Sequence, residues 1–215
     1  SINSELVKSH MFIENGLVDL KELDKTISLF VPSLNNLPSC HSMNISDLHG
    51  NNITIFENLD TISGRGTINS KLAVRNYRPN FTENNFSNKS SWYRFDGSFK
   101  EIIESWSQEL YWSEQDLIKM YPNKSYQYLT KEEKAYNPAK RIWHTGAVQL
   151  FKKNNSESTN IEDLIFYTDI DVFFTTKTFG ITASIAAKDP SGEIIVVAYD
   201  LLLNNFSQFT MGLKP

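Results

Sequence analysis

Few residues of this chain have the type and spacing that catalysis needs. The four histidines, His10, His41, His49 and His144, form no H-x-x-x-H or H-E-x-x-H pattern, which speaks against a zinc hydrolase. Cys40 lies near His41 and His49, but a lone cysteine beside a strand reads as a small buried hydrophobe rather than a nucleophile. Asp169-Ile170-Asp171 has the D-x-D form of metal-dependent glycosyltransferases, without the nucleotide-binding βαβ unit that should accompany it. Arg141 and Trp143 stand two residues apart on a short predicted helix, where an arginine serves a salt bridge or a carboxylate and a tryptophan serves the core. Asp200 follows an apolar strand and is placed to cap a helix starting at Leu201. His144 brings a group that titrates near neutrality. No metal or cofactor site follows from these residues, and the chain reads as a non-enzyme.

The elements that must position these side chains follow from periodicity. Apolar residues from Leu6 to Phe30 recur at three- and four-residue spacing up to Pro32, predicting a long N-terminal helix with Gly16 as its weak point. Residues 39–46 and 51–57 read as a hairpin turning at Leu48-His49-Gly50-Asn51. A loop-rich stretch over 60–97 holds one strand near 67–74. Phe99, Ile102, Ile103, Trp106 and Leu110 predict a helix over 98–110, and Ser113 caps a shorter one reaching Met120. Trp106, Leu110, Trp112 and Leu117 then form the core of a helical insertion around 98–135. Asn137 and Pro138 open another short helix through Arg141 to about Ala147. Strands are expected at 146–151, 163–168, 179–187 and 193–200, the last two joined by the turn Lys188-Asp189-Pro190-Ser191-Gly192. With no βαβ alternation, this order predicts an α+β domain on one antiparallel sheet, with helices on one face, as in PAS-like sensors.

Composition narrows the classes further. The 215 residues suit one medium domain, and 25 acidic against 21 basic residues leave a net charge of -4, which speaks against nucleic acid as a partner. No stretch reaches the roughly 20 apolar residues needed to cross a bilayer. A single cysteine excludes an intramolecular disulfide. Eight Asn-x-Ser/Thr sequons, among them Asn44, Asn52 and Asn88, would accept glycans only in a secreted eukaryotic chain.

Two segments carry a family resemblance. Phe173-Phe174-Thr175-Thr176-Lys177-Thr178-Phe179-Gly180-Ile181-Thr182, followed by Asp189-Pro190-Ser191-Gly192 and the apolar run to Asp200, resembles the end of a Cache domain, a PAS-like extracytoplasmic sensor. Tyr136-Asn137-Pro138-Ala139-Lys140-Arg141-Ile142-Trp143-His144 is similar to that family's Y-x-x-x-x-R-x-W-Y ligand motif. The resemblance spans nearly the whole chain and is closest to the membrane-distal module of double-Cache receptors. It implies a stalk helix over 1–35, a sensing domain over 36–203 and an exit segment over 204–215, with Ser1 and Pro215 as limits of a fragment. It further implies a membrane-anchored parent with a histidine kinase, chemotaxis or cyclase output, and a homodimer formed through the N-terminal helix.

The same resemblance assigns roles. Arg141 and Trp143 would hold a ligand carboxylate, Asp200 an ammonium, and Tyr136 the pocket rim. Two positions depart from the family: His144 replaces a tyrosine, and Ile170-Asp171 replaces a Pro-Tyr pair. Were Asp171 and Asp200 both to face the pocket, their repulsion would favour a cationic ligand or a metal ion between them, while Arg141 favours a carboxylate. The expected ligand is therefore a small amino-acid-like or amine molecule. The competing expectations are a ligand-free structural or adhesive ectodomain, with an apolar collapsed pocket, and a metal-dependent enzyme using Asp169 and Asp171.

Overall fold

At Leu48-His49-Gly50-Asn51 the chain doubles back as its composition demands. Gly50 adopts φ +86, and the Asp47 carboxylate accepts the backbone N–H groups of His49 and Asn51. Strands β1 (Cys40–Asp47) and β2 (Asn52–Glu57) pair antiparallel through Ser46↔Asn52 to Ser42↔Phe56. The computed structural model describes residues 1–57, 72–96, 100–154 and 160–203. Within them β3 (Leu72–Tyr77), β4 (Lys89–Phe95) and β5 (Ile102–Glu109) continue the meander outward from β2. On the other side of β1 come β9 (Ile194–Leu202) and then β8 (Phe179–Lys188). The outer edge of β8 pairs with two short strands, β6 (Phe166–Tyr167) and β7 (Asp171–Val172). The result is the expected α+β plan, one antiparallel sheet flanked by helices.

Strand alternation gives this sheet two different faces. The cross-strand row Val74–Ile55–Met43–Tyr199–Ala183 is apolar. Against it pack α1 (Ile2–Glu14) and α2 (Leu23–Asn35), burying Leu6, Ile13, Phe30 and Leu34. The Tyr199 hydroxyl meets Ser9 Oγ at 3.1 Å, fixing α1 on this face. The adjacent rows carry Ala73–Phe56–Ser42–Asp200–Thr182 and Arg75–Thr54–Asn44–Ala198–Ser184. Ser184 Oγ donates to the Trp143 carbonyl at 2.8 Å, which places α5 (Ile142–Asn154) on this second face. Helices therefore cover both faces, not one.

Several expected elements change state. The N-terminal periodic run is two 13-residue helices, interrupted where Gly16 takes φ +68, and both lie on the sheet. Residues 102–109 are an edge strand and not a helix: Trp106 pairs with Trp92, the rings stacked at 5.4 Å. The β-branched Ile102-Ile103 pair and the indole stack favour the pleated surface over the helical spacing that the apolar residues also satisfy. The helical insertion thus contracts to α3 (Glu114–Met120), capped by Ser113 as expected, and α4 (Lys131–Lys134), closed by a Thr130–Glu133 capping box.

Residues 146–151 belong to α5 rather than to a strand, because Trp143, His144, Ala147, Val148 and Phe151 form one buried helical stripe. Gly146 keeps room for Phe166, whose ring would lie 2.3 Å from an added Cβ. The strand at 163–168 is reduced to β6 after a 3-10 turn at Ile161–Leu164. The first part of the strand near 67–74 and the whole exit segment fall outside the described residues. Asn44, Asn52 and Asn88 are buried and hydrogen-bonded within the fold, so these three sequons are closed to glycans in the native state.

Candidate functional site

The second face of the sheet is polar where a core would be apolar. Ser42 and Asn44 from β1, Thr54 and Phe56 from β2, Arg75 from β3, Thr182 from β8 and Asp200 from β9 form the floor of a narrow cleft with about 30 Å³ of free volume. Tyr136, Arg141 and Trp143 wall one side, and the β7–β8 connection with Phe173 to Thr176 roofs it.

Asp200 is buried in the floor. Its carboxylate accepts from Ser42 Oγ at 2.6 Å, Thr182 Oγ1 at 2.7 Å and Asn44 Nδ2 at 3.1 Å. All three donors are neutral, and none of the described ion pairs includes Asp200. Burial holds its carboxyl above the usual range, opposed by these hydrogen bonds and by the charge of Arg141. The residue lies inside β9, with Leu201 and Leu202 continuing the strand, so it caps no helix. A carboxylate has about four acceptor positions, and three are used.

Arg141 owes its position to a break in helical structure. Asn137 caps a single turn at Pro138–Lys140, Arg141 turns extended at ψ 147, and α5 begins at Ile142. Its guanidinium meets Asp171 Oδ2 at 3.2 Å, the Val172 carbonyl at 3.4 Å and Asp116 Oδ1 at 3.9 Å. Arg141 thus ties β7 and α3 together at the rim. Asp171 is outside the pocket lining, its side chain 43% exposed and engaged by Arg141, so two carboxylates do not converge here. Asp169 is exposed, and the D-x-D pair makes no metal cluster among the described residues.

Tyr136 is a buried wall rather than a rim. Its ring stacks on Phe174 at 3.9 Å and meets Trp112 edge-on at 4.8 Å, while its carbonyl accepts from Tyr77 Oη at 2.7 Å. His144 faces away from the cleft. Its Nε2 lies 3.0 Å from the Asp47 carbonyl, and burial pushes its pKa down to about 4.

The roof is a tight turn. Phe173 N donates to the Thr178 carbonyl, Lys177 N donates to the Phe173 carbonyl, and Lys177 sits at φ 57. Gly180 lets the roof close, since a Cβ there would lie 2.1 Å from the Phe173 ring and 2.5 Å from the Leu201 carbonyl. Gly180→Ala should therefore expel Phe173 from the roof and destabilise by about 1–3 kcal/mol in chemical denaturation. A variant as stable as the parent would show that the contact is slack.

Apart from Asp200, the sequence reading missed the floor. Arg75 is 2% exposed, donates to Thr175 Oγ1 at 2.8 Å and Thr54 Oγ1 at 3.1 Å, and forms none of the described ion pairs. Its Nε has no partner. Four rings surround it, Trp92 at 5.6 Å, Tyr136 at 5.7 Å, Phe56 at 5.8 Å and Phe174 at 5.9 Å. A charged residue inside Leu72–Tyr77 and polar residues alternating through β1 and β2 were the available signals.

No protein-family model matches the chain, and no curated protein matches it. Solved structures similar to it include the extracellular domain assigned to histidine kinase soHK1S-Z6 (12% identity, TM-score 0.43). Others are the ligand-binding domain of the Pseudomonas fluorescens chemoreceptor CtaA with L-isoleucine (13%, 0.40) and methyl-accepting chemotaxis protein X (10%, 0.44). They align over 99%, 95% and 99% of this chain, which spans 56%, 52% and 60% of theirs. All three come from signal-transduction receptors.

Proposed function

We propose that this chain is the extracytoplasmic ligand-binding sensor domain of a membrane-anchored signalling receptor, with a small amino-acid-like or amine molecule as its ligand. The observation that carries the reading is Asp200: a carboxylate buried at the floor of a polar cleft, held by three neutral donors and in none of the described ion pairs. Holding such a charge out of water costs several kcal/mol unless a counter-charge arrives. An ammonium group meets that requirement, and Arg141, Trp143 and Tyr136 in the same cleft agree with the ligand motif that residues 136–144 resemble. A ligand-free ectodomain would instead fill this space with apolar side chains. Membrane anchoring, the output domain and a dimer are parts of this reading. No helix among the described residues is long and apolar enough to cross a membrane. The apolar stripe of α1 is buried on the sheet, so a dimer through it would use the outer side, where Met11 is exposed.

A thermal-shift screen over amino acids, amines and carboxylates tests the proposal. A ligand at 100 times its dissociation constant stabilises by about 2.7 kcal/mol. Asp200→Asn should abolish stabilisation by every ammonium-bearing hit while leaving the circular dichroism spectrum native. Unchanged affinity in that variant, measured by calorimetry, would sink the assignment.

A further inference from the structure

We propose that Arg75, rather than Arg141, is the anion-binding residue of the cleft, and that the ligand is a small zwitterion with its carboxylate on Arg75 and its ammonium on Asp200. The inference rests on reading the cleft as a ligand site. It starts from a contrast between two arginines. Arg141 has two carboxylate partners and spends its guanidinium on joining β7 to α3. Arg75 is more deeply buried, has only neutral oxygen partners, and keeps Nε unpartnered in a cleft it helps to line. The surrounding rings offset part of the cost of its charge through their quadrupoles, and the Tyr136 side chain adds a neutral hydrogen-bonding oxygen, but none of the described ion pairs gives the planar guanidinium a carboxylate. An incoming ligand carboxylate would supply one.

The floor also sets the distance between the two charges. Arg75 Nη2 donates to Thr54 Oγ1, Thr54 Oγ1 donates to Asn44 Oδ1 at 2.8 Å, and Asn44 Nδ2 donates to Asp200. A chain of three hydrogen bonds thus separates cation from anion. The Thr54 proton has a choice of two acceptors, because Asn52 Oδ1 is also 2.8 Å away. That second acceptor lets the chain adjust when either end is engaged. Two opposite charges that make no direct ion pair, joined by neutral side chains that contact one another, form a dipolar floor that selects a molecule of the reverse polarity.

The test compares alanine and γ-aminobutyrate with alaninamide and n-butylamine, which keep the amine and lack the carboxylate, by calorimetry on the whole chain. Wild type should prefer one of the zwitterions over its carboxylate-free counterpart by at least 100-fold. Arg75→Gln should remove that preference, while binding of the amine or amide changes by less than about threefold. Arg141→Gln should retain the preference. Loss of the preference in Arg141→Gln but not in Arg75→Gln overturns the assignment and returns the carboxylate to Arg141. If Arg75→Gln does not fold, Arg75→Lys takes its place. If neither folds, wild-type competition by acetate decides: acetate should displace the zwitterion and leave n-butylamine bound, and no displacement overturns the proposal. Amine binding without any carboxylate preference refutes this inference but spares the sensor reading, whereas failure of all four probes to bind refutes both.

Discussion

A His144→Gln variant should remove an acid sensitivity that costs the parent about 3 kcal/mol between pH 7 and pH 4. His144 is 2% exposed, and its folded pKa lies at about 4, with burial as the cause. In the unfolded chain the same imidazole titrates near its ordinary value of 6.5. Between those values the unfolded chain binds a proton that the native protein refuses, so stability falls as the pH falls through this window. A glutamine amide can still donate to the Asp47 carbonyl while carrying no titrating group. His10 and His41, lowered by burial too, act in the same direction, and Asp200, raised, acts in the opposite one. The parent-minus-variant difference in urea denaturation isolates His144. A difference that stays flat from pH 7 to pH 4 would refute the prediction.

Trp92→Ala should cost about 3–5 kcal/mol, as truncations of large buried aromatics do. The indole is 4% exposed and lies in the middle of a stack, with Phe56 at 5.4 Å on one side and Trp106 at 5.4 Å on the other. The stack joins β2 to the edge strand β5 and backs the Arg75 guanidinium. Trp92→Phe keeps part of this area and should lose much less. Guanidinium denaturation of both variants gives the comparison, and a loss below 1 kcal/mol for alanine would mean that neighbouring side chains refill the space.

The sheet was legible in the sequence wherever two strands meet through a short turn. Both Gly50-Asn51 and Pro190-Ser191-Gly192 impose local geometry that needs no tertiary context, and β1–β2 and β8–β9 lie where those turns put them. The edge strand β5 was not legible, because Ile102, Ile103 and Trp106 satisfy a helical stripe and a strand equally, and only the Trp92 stack decides between them. Likewise Gly146-Ala147-Val148 reads as strand until Phe166 is seen filling the glycine's space against α5. In the cleft, the local motif from Tyr136 to Trp143 brought three wall residues together. Arg75 escaped notice because its significance lies in the absence of a partner, and partners 100 residues away, such as Thr175, are set by topology alone.

The two unlike faces of the sheet have a consequence for how such a domain can diversify. Positions 42, 44, 54, 75, 182 and 200 all point into the cleft, while their immediate neighbours 43, 45, 55, 74, 183 and 199 point into the apolar layer beneath α1 and α2. Affinity and stability are therefore encoded by interleaved, separately variable alphabets along the same strands. Substitution within one set can change the chemistry of the cleft while the other keeps the scaffold constant. Only an insertion or deletion within a strand, which would exchange the two sets, disturbs both together.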